Sequence, residues 1–146
     1  MKGGEALVET LIAHGVNTAF TVPGESFLYA LEGMRKRPDQ IRVVSVRQEG
    51  GGAFMAEAFG KLTGRPAAVF VSRGPGSSNA AIGIHTAMQD STPMVVFVGH
   101  VNAKSIGRES FQEIDQHAFF GAVAKAVLSP KDTNDIPGVT AEAVSF

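Results

Sequence analysis

The chain has 146 residues, 44% of them apolar and 18% charged, with a formal net charge of −1 and no cysteine. That is enough chain for one domain with a sizeable core, and the composition excludes a disordered segment, a polybasic nucleic-acid or membrane surface, and disulfide or thiolate chemistry. No apolar run is long enough to span a bilayer and the acidic N-terminus does not read as a signal peptide, so a cytoplasmic protein is expected.

In chain order, residues 4–14 (GEALVETLIAH) place Ala6, Leu7, Leu11 and Ile12 on one helical face, and Gly15 is a stop signal. TAFTV (18–22) reads as a short strand closed by Pro23 and Gly24. Residues 26–36 read as a helix with Phe27, Leu28 and Leu31 inward. IRVVSV (41–46) is a β-branched strand, and residues 51–63 form a helix ended by Gly64. AAVFVS (67–72) and MVVFVG (94–99) are buried strands on either side of a helix over 77–89. Residues 100–110 read as loop, 114–122 as helix, AKAVL (124–128) as a strand and 133–144 as a last helix.

This alternation predicts an α/β fold, an open, mostly parallel sheet with helices on both faces. Ligands of such sheets bind outside the carboxyl ends of the strands. Glycine accounts for 17 of the 146 residues, well above the usual ~7%. These glycines gather where strands hand over to helices: Pro23-Gly24, Glu49-Gly50-Gly51-Gly52, Ser72-Arg73-Gly74-Pro75-Gly76 and Gly99-His100. All four turns are expected to line one edge of the sheet and form a site there.

The motifs allow more than one chemistry. SRGPGSSN (72–79) could cradle a phosphate on backbone N–H groups, but it lacks the GK[ST] of a Walker loop and the third glycine of a dinucleotide fingerprint. A tight turn with Ser77 or Ser78 capping the helix explains it equally well. Glu49 is either a solvated acid at a helix N-terminus or a functional carboxylate with three side-chain-free neighbours that let a flat ring approach the backbone. His14 fits a helix cap and His85 a packed position. His100 and His117 lie near the expected site loop without metal-ligand spacing, so no metal is expected in this chain. Met55, Met88 and Met94 read as core or interface fillers.

RQEGGGAFMAEAFGKLTGRPAAVFVSRGPGSSNAAIGIHTAMQDSTPMVVFVG, together with GVNTAFTVPGES and IGRESFQEID, resembles the N-terminal pyrimidine-binding domain of thiamine-diphosphate enzymes, in the acetolactate synthase and pyruvate oxidase group. The resemblance covers nearly the whole chain, in order. It implies a thiamine-diphosphate-binding fold in a 2-keto acid decarboxylase or carboligase, working as a homodimer or homotetramer. It also implies magnesium held by a diphosphate-binding domain, and allows FAD. In this family a Glu at the position of Glu49 hydrogen-bonds a ring nitrogen of the aminopyrimidine and favours its imino tautomer, so that the cofactor can deprotonate its own thiazolium carbon and attack a 2-keto acid. Glu49 is the implied catalytic residue, and Gln112, with Phe111, is implied to face the reacting centre. Pro23 and Gly24 would wall the substrate side. Ser72, Pro75 and Asn79 would lie near the pyrimidine.

The sequence departs from the family pattern in three ways. Arg47-Gln48 stands where acetolactate synthases usually have Arg-His, and Arg73 replaces the usual Ser or Thr before Gly-Pro-Gly. There is no Gly-Asp-Gly followed by an Asn pair, the family's magnesium and diphosphate signature. Residues 1–146 are therefore expected to be one pyrimidine-binding domain, the N-terminal part of a longer enzyme whose central and diphosphate-binding domains are absent here. The alternatives are a non-catalytic module that keeps the fold, or one half of a split enzyme completed by a separate chain.

Overall fold

The computed structural model describes residues 1–146. The elements are α1 (Gly3–Ala13), β1 (Thr18–Thr21), α2 (Leu28–Arg35), β2 (Arg42–Ser45), α3 (Glu49–Thr63), β3 (Ala67–Ser72), α4 (Arg73–Gln89), β4 (Met94–Gly99), α5 (Gln116–Phe120) and α6 (Ile136–Ser145). Single 3₁₀ turns cover Glu25–Phe27, Ala103–Ser105 and Thr133–Asp135. The four strands are all parallel, in the order β2-β1-β3-β4. Because β2 and β3 lie on opposite sides of β1, the winding reverses between β1 and β3. Open parallel sheets bind ligands outside the strands' carboxyl ends at such a reversal.

The expected fold class is what the structure has. β3 is nearly all buried because both faces of the sheet are covered, which explains its unbroken apolar sequence. On one face α1, α2 and α6 pack over Ala19, Ala68, Phe70 and Val95, with Val8, Leu11, Phe27, Met34 and Ile41 filling the layer. Phe70 is its centre: its ring lies 5.8 Å from that of Phe27 and 4.9 Å from that of Phe97. On the other face α3, α4 and α5 supply Ala53, Ala56, Ala80, Ile84 and Phe120 against Phe20, Val69 and Val71.

Helix ends follow local chemistry. The Gln48 side chain accepts from the Gly51 N–H at 2.8 Å and caps α3. Gly64, at φ +66°, closes the same helix in the left-handed conformation that glycine adopts without penalty. His14 ends α1, its Nδ1 2.8 Å from the Thr10 carbonyl, which agrees with a structural cap.

Five expectations are corrected. AKAVL is not a strand: Val123, Ala124 and Val127 are partly buried against the second-face core, so their apolar character serves packing and no ladder forms. Helix α4 starts at Arg73, four residues early, which draws the Gly-Pro-Gly into its first turn. Neither serine caps it, since Ser77 Oγ donates to Gln116 Oε1 at 2.9 Å and Ser78 Oγ donates back to the Gly74 carbonyl. Leu28 points outward at 58% exposure while Ala30 and Met34 take the inner face of α2. His85 is exposed on α4 rather than packed.

Candidate functional site

All four glycine-marked turns follow the carboxyl end of a parallel strand, and two sets of contacts tie them together. After β1, Ser26 Oγ hydrogen-bonds Ser72 Oγ of β3 at 2.6 Å, across the reversal between these strands. Gly24 rests on Ser72, where a Cβ would come within 3.0 Å of the serine Cβ. Gly99 at the end of β4 lies so close to Ser26 and Phe27 that no side chain fits there. Pro23, just after β1, is exposed.

The second set joins α3 and α4. Glu49 is the first residue of α3, half-buried, and its Oε2 accepts from Asn79 Nδ2 at 2.8 Å. The Asn79 amide fixes the orientation of this carboxylate. Glu49 Oε1 has no partner within the chain. The glycines beside it divide into two kinds. A Cβ on Gly50 would meet the Asn79 carbonyl at 2.8 Å, and one on Gly52 would meet Val46 at 3.0 Å. Those two let α3 sit against α4 and β2. Only Gly51 faces open space. The expectation that all three leave room for a flat ring therefore holds for one.

Residues 106–115 lie against the start of α4. The Gly74 N–H donates to the Gln112 carbonyl at 2.9 Å, and a Cβ on Gly74 would overlap Ile114. Gln112 itself has φ +63° and an exposed side chain, and Phe111 is exposed by 73%. Glu113 shapes this loop by accepting from the N–H groups of Gly107 at 2.6 Å and Ser110 at 2.9 Å. Those bonds hold its carboxyl below the usual carboxylate range. His100 Nε2 lies 3.3 Å from the Ile114 carbonyl, and His117 pairs with Ser129. No three His, Asp or Glu side chains converge to make a metal site.

The structure thus brings Glu49 to Asn79, Gly24 to Ser72, and Gln112 to Gly74 beside Pro75. Sequence reasoning did not find Ser26, and no local signal marks it. It also did not find the pairing of Arg73 with Glu25, whose Nη1 and Oε1 lie 3.4 Å apart. The unusual residue type at position 73 was the available clue.

The family model for the thiamine pyrophosphate enzyme N-terminal TPP binding domain matches residues 1–119. The chain is 35% identical over 142 residues to the chloroplastic acetolactate synthase 3 of Brassica napus, covering 97% of this chain and 22% of that protein. It is 33% identical over 142 residues to the acetolactate synthase of Bacillus subtilis, covering 97% and 25%. It is 37% identical over 143 residues to the acetolactate synthase isozyme 3 large subunit of Escherichia coli, covering 98% and 25%. The chain spans about a quarter of the length of these relatives.

Proposed function

The chain belongs to the thiamine pyrophosphate enzymes, as their N-terminal TPP binding domain, and from that membership we propose that it forms the pyrimidine-binding part of a 2-keto acid decarboxylase or carboligase with Glu49 as the catalytic acid. The observation that carries this reading is the Glu49–Asn79 pair, because it leaves one carboxylate oxygen free beside the open face of Gly51. That arrangement fits an aminopyrimidine. A ring nitrogen can hydrogen-bond Oε1 while Asn79 fixes the carboxylate through Oε2, and Gly51 gives the ring backbone to rest on.

Bound there, thiamine diphosphate supplies the carbon nucleophile and the electron sink for the reaction. The chain's own groups do the rest. Glu49 exchanges a proton with the ring nitrogen, a transfer that needs a carboxyl within hydrogen-bond reach. Asn79 orients it. Ser72 and Pro75 stand near the ring, Pro23 and Gly24 wall the substrate side, and Gln112 with Phe111 faces the reacting centre. Magnesium and the diphosphate are held outside this chain, by a diphosphate-binding region of the same enzyme or of a separate polypeptide, and residues 1–146 act as its N-terminal domain. The working assembly is a homodimer or homotetramer, built on the outward faces of α3 and α4, where Phe54, Met55 and Ile82 are exposed.

The test is Glu49→Gln in the intact enzyme. We expect kcat for 2-keto acid turnover to fall by about 10²–10⁴-fold, the range for loss of a positioned proton-transfer group, with thiamine diphosphate affinity changed far less. Undiminished turnover would remove Glu49 from the mechanism.

A further inference from the structure

Arg73 stands at this edge with a buried side-chain nitrogen that has no partner. It replaces the small hydroxyl residue usual before Gly-Pro-Gly, so nothing in the pyrimidine-binding role calls for it. Its side chain is only 18% exposed, yet none of its guanidinium groups makes a hydrogen bond. Nε is buried without a partner. Its one ion-pair partner within 4 Å is Glu25, at 3.4 Å, and that carboxylate is 74% exposed to water. A largely buried cation with so few partners is costly unless something else pairs with it.

What surrounds it is a shallow cleft of about 200 Å³, lined by Arg73, Val101, Asn102, Ser105, Ser110 and Phe111. Phe111 lies over the guanidinium, 5.8 Å from ring centroid to Cζ, and leaves most of its own surface exposed. Asn102 uses its side-chain oxygen on the Lys104 N–H, so its amide N–H₂ is left free to donate. The cleft therefore offers a planar cation and a neutral donor under an aromatic cover. Among its lining residues there is no carboxylate. It opens beside the β1–β3 reversal, and Arg73 precedes Asn79 by six residues, roughly 9 Å along the axis of α4.

We propose that Arg73 and Asn102 form a carboxylate-binding site that holds the carboxylate of the 2-keto acid substrate. The ligand class follows from chemistry: a guanidinium presents parallel N–H groups that match the two oxygens of a carboxylate, with the Phe111 ring within cation–π distance on one side. This makes Arg73 a specificity-determining residue. Its assignment to the substrate rests on the reading of Glu49 as the cofactor-activating acid at the same edge.

The experiment is a titration of the intact, isotope-labelled enzyme, free of cofactor, with sodium pyruvate, followed by the Arg73 Nε–H and Asn102 side-chain amide resonances. Parallel titrations use inorganic phosphate, methanesulfonate and thiamine. Pyruvate is expected to give saturable shifts at both groups. Arg73→Ser, which restores the residue type usual in the family, is expected to weaken binding at least about tenfold, as the loss of a bidentate charge-assisted pair predicts. Arg73→Lys keeps the charge and is expected to recover only part of it. Asn102→Asp places a negative charge in the cleft and is expected to abolish the response with Arg73 intact, which covers the case of a misfolded Arg73 variant. Absence of a saturable pyruvate shift, equal binding by Arg73→Ser, or tighter binding of phosphate or methanesulfonate would each overturn the proposal. Thiamine shifts at Gly50 and Gly51 with pyruvate inert would sink the Arg73 site and leave the role of Glu49 standing. Saturable pyruvate binding without any thiamine response would leave Arg73 and Asn102 as a carboxylate site but overturn its assignment to the substrate.

Discussion

The two faces of the sheet are finished differently. Over α1 and α2 the core is made of large side chains and the outside is laced with ion pairs: Lys36 with Glu5 at 2.6 Å, Arg35 with Glu32 at 2.6 Å, and Arg37 with Glu9. Hydrogen bonds from Lys36 and from the Lys2 N–H keep the Glu5 carboxyl below its ordinary range. The exposed apolar side chains of α2 are Leu28 and Tyr29, and the Lys2 ammonium lies over the tyrosine ring at 4.1 Å. Over α3 and α4 the layer is built from small residues, and the outside carries Phe54, Met55, Leu62, Ile82 and Met88. At its far end Asp90 and then Glu57 hold Lys61 and push its pKa up to about 12. One face is dressed for water. The other is dressed for contact, and it is the one that carries Glu49.

The strongest way to break this contrast is to attack the water-dressed face from inside. Phe70 is buried between the rings of Phe27 and Phe97. Phe70→Ala removes a ring that the surrounding side chains cannot replace, and a loss of about 3–5 kcal/mol is expected. Urea unfolding of the variant measures it. A loss under 1 kcal/mol would mean that this layer collapses easily, and that the first face is not the structural anchor.

A smaller effect sharpens the description of the second face. Gly83 of α4 lies against Ala53 of α3, so close that a Cβ would sit 2.6 Å from the alanine Cβ and 2.9 Å from its carbonyl carbon. Gly83→Val must push the helices apart, at about 1–3 kcal/mol. Because Asn79 is on the same helix, one turn earlier, the separation is also expected to lengthen the Glu49–Asn79 bond. Thiamine shifts at Gly50 and Gly51 should weaken along with the urea midpoint. Full stability in Gly83→Val would show that this helix pair is loosely packed.

These contacts also mark what the sequence could and could not reveal. Strand β3 was legible because both faces of the sheet are covered there, which leaves no polar alternation to confuse the reading, and β2 was legible from its β-branched run although it is mostly exposed at the sheet edge. Helix α3 was legible at its end, where Gly64 is the stop. The start of α4 was not, because Gly-Pro-Gly reads as a turn in one dimension. In the fold those glycines let the first helical turn pass close to Val71 and Ile114. The same ambiguity affected Gly50 and Gly52, since room for a ligand and room for a neighbouring helix have one signature. Glu49 could be singled out from its neighbours, but its partner Asn79 lies 30 residues away and only the packing of α3 on α4 joins them. Residues 124–128 misled because apolar residues that pack as an irregular segment look like those of a strand.

The subtlest test concerns the role proposed for Glu49, a half-buried carboxylate, since proton exchange with a bound ring works best away from water. Ile82 projects from α4 one turn beyond Asn79 and is 62% exposed. A second copy seated on Phe54, Met55 and Ile82 would bury these side chains and also exclude water from the carboxylate beside them. Ile82→Lys removes no contact of the chain's own core, so its unfolding free energy should stay within about 0.5 kcal/mol of the parent. Its effect should fall on association and catalysis together, as a shift toward monomer in sedimentation and a matching loss of 2-keto acid turnover in the intact enzyme. An active Ile82→Lys dimer would mean that this apolar surface is not what dries the site. The contrast between the faces would then concern solubility alone.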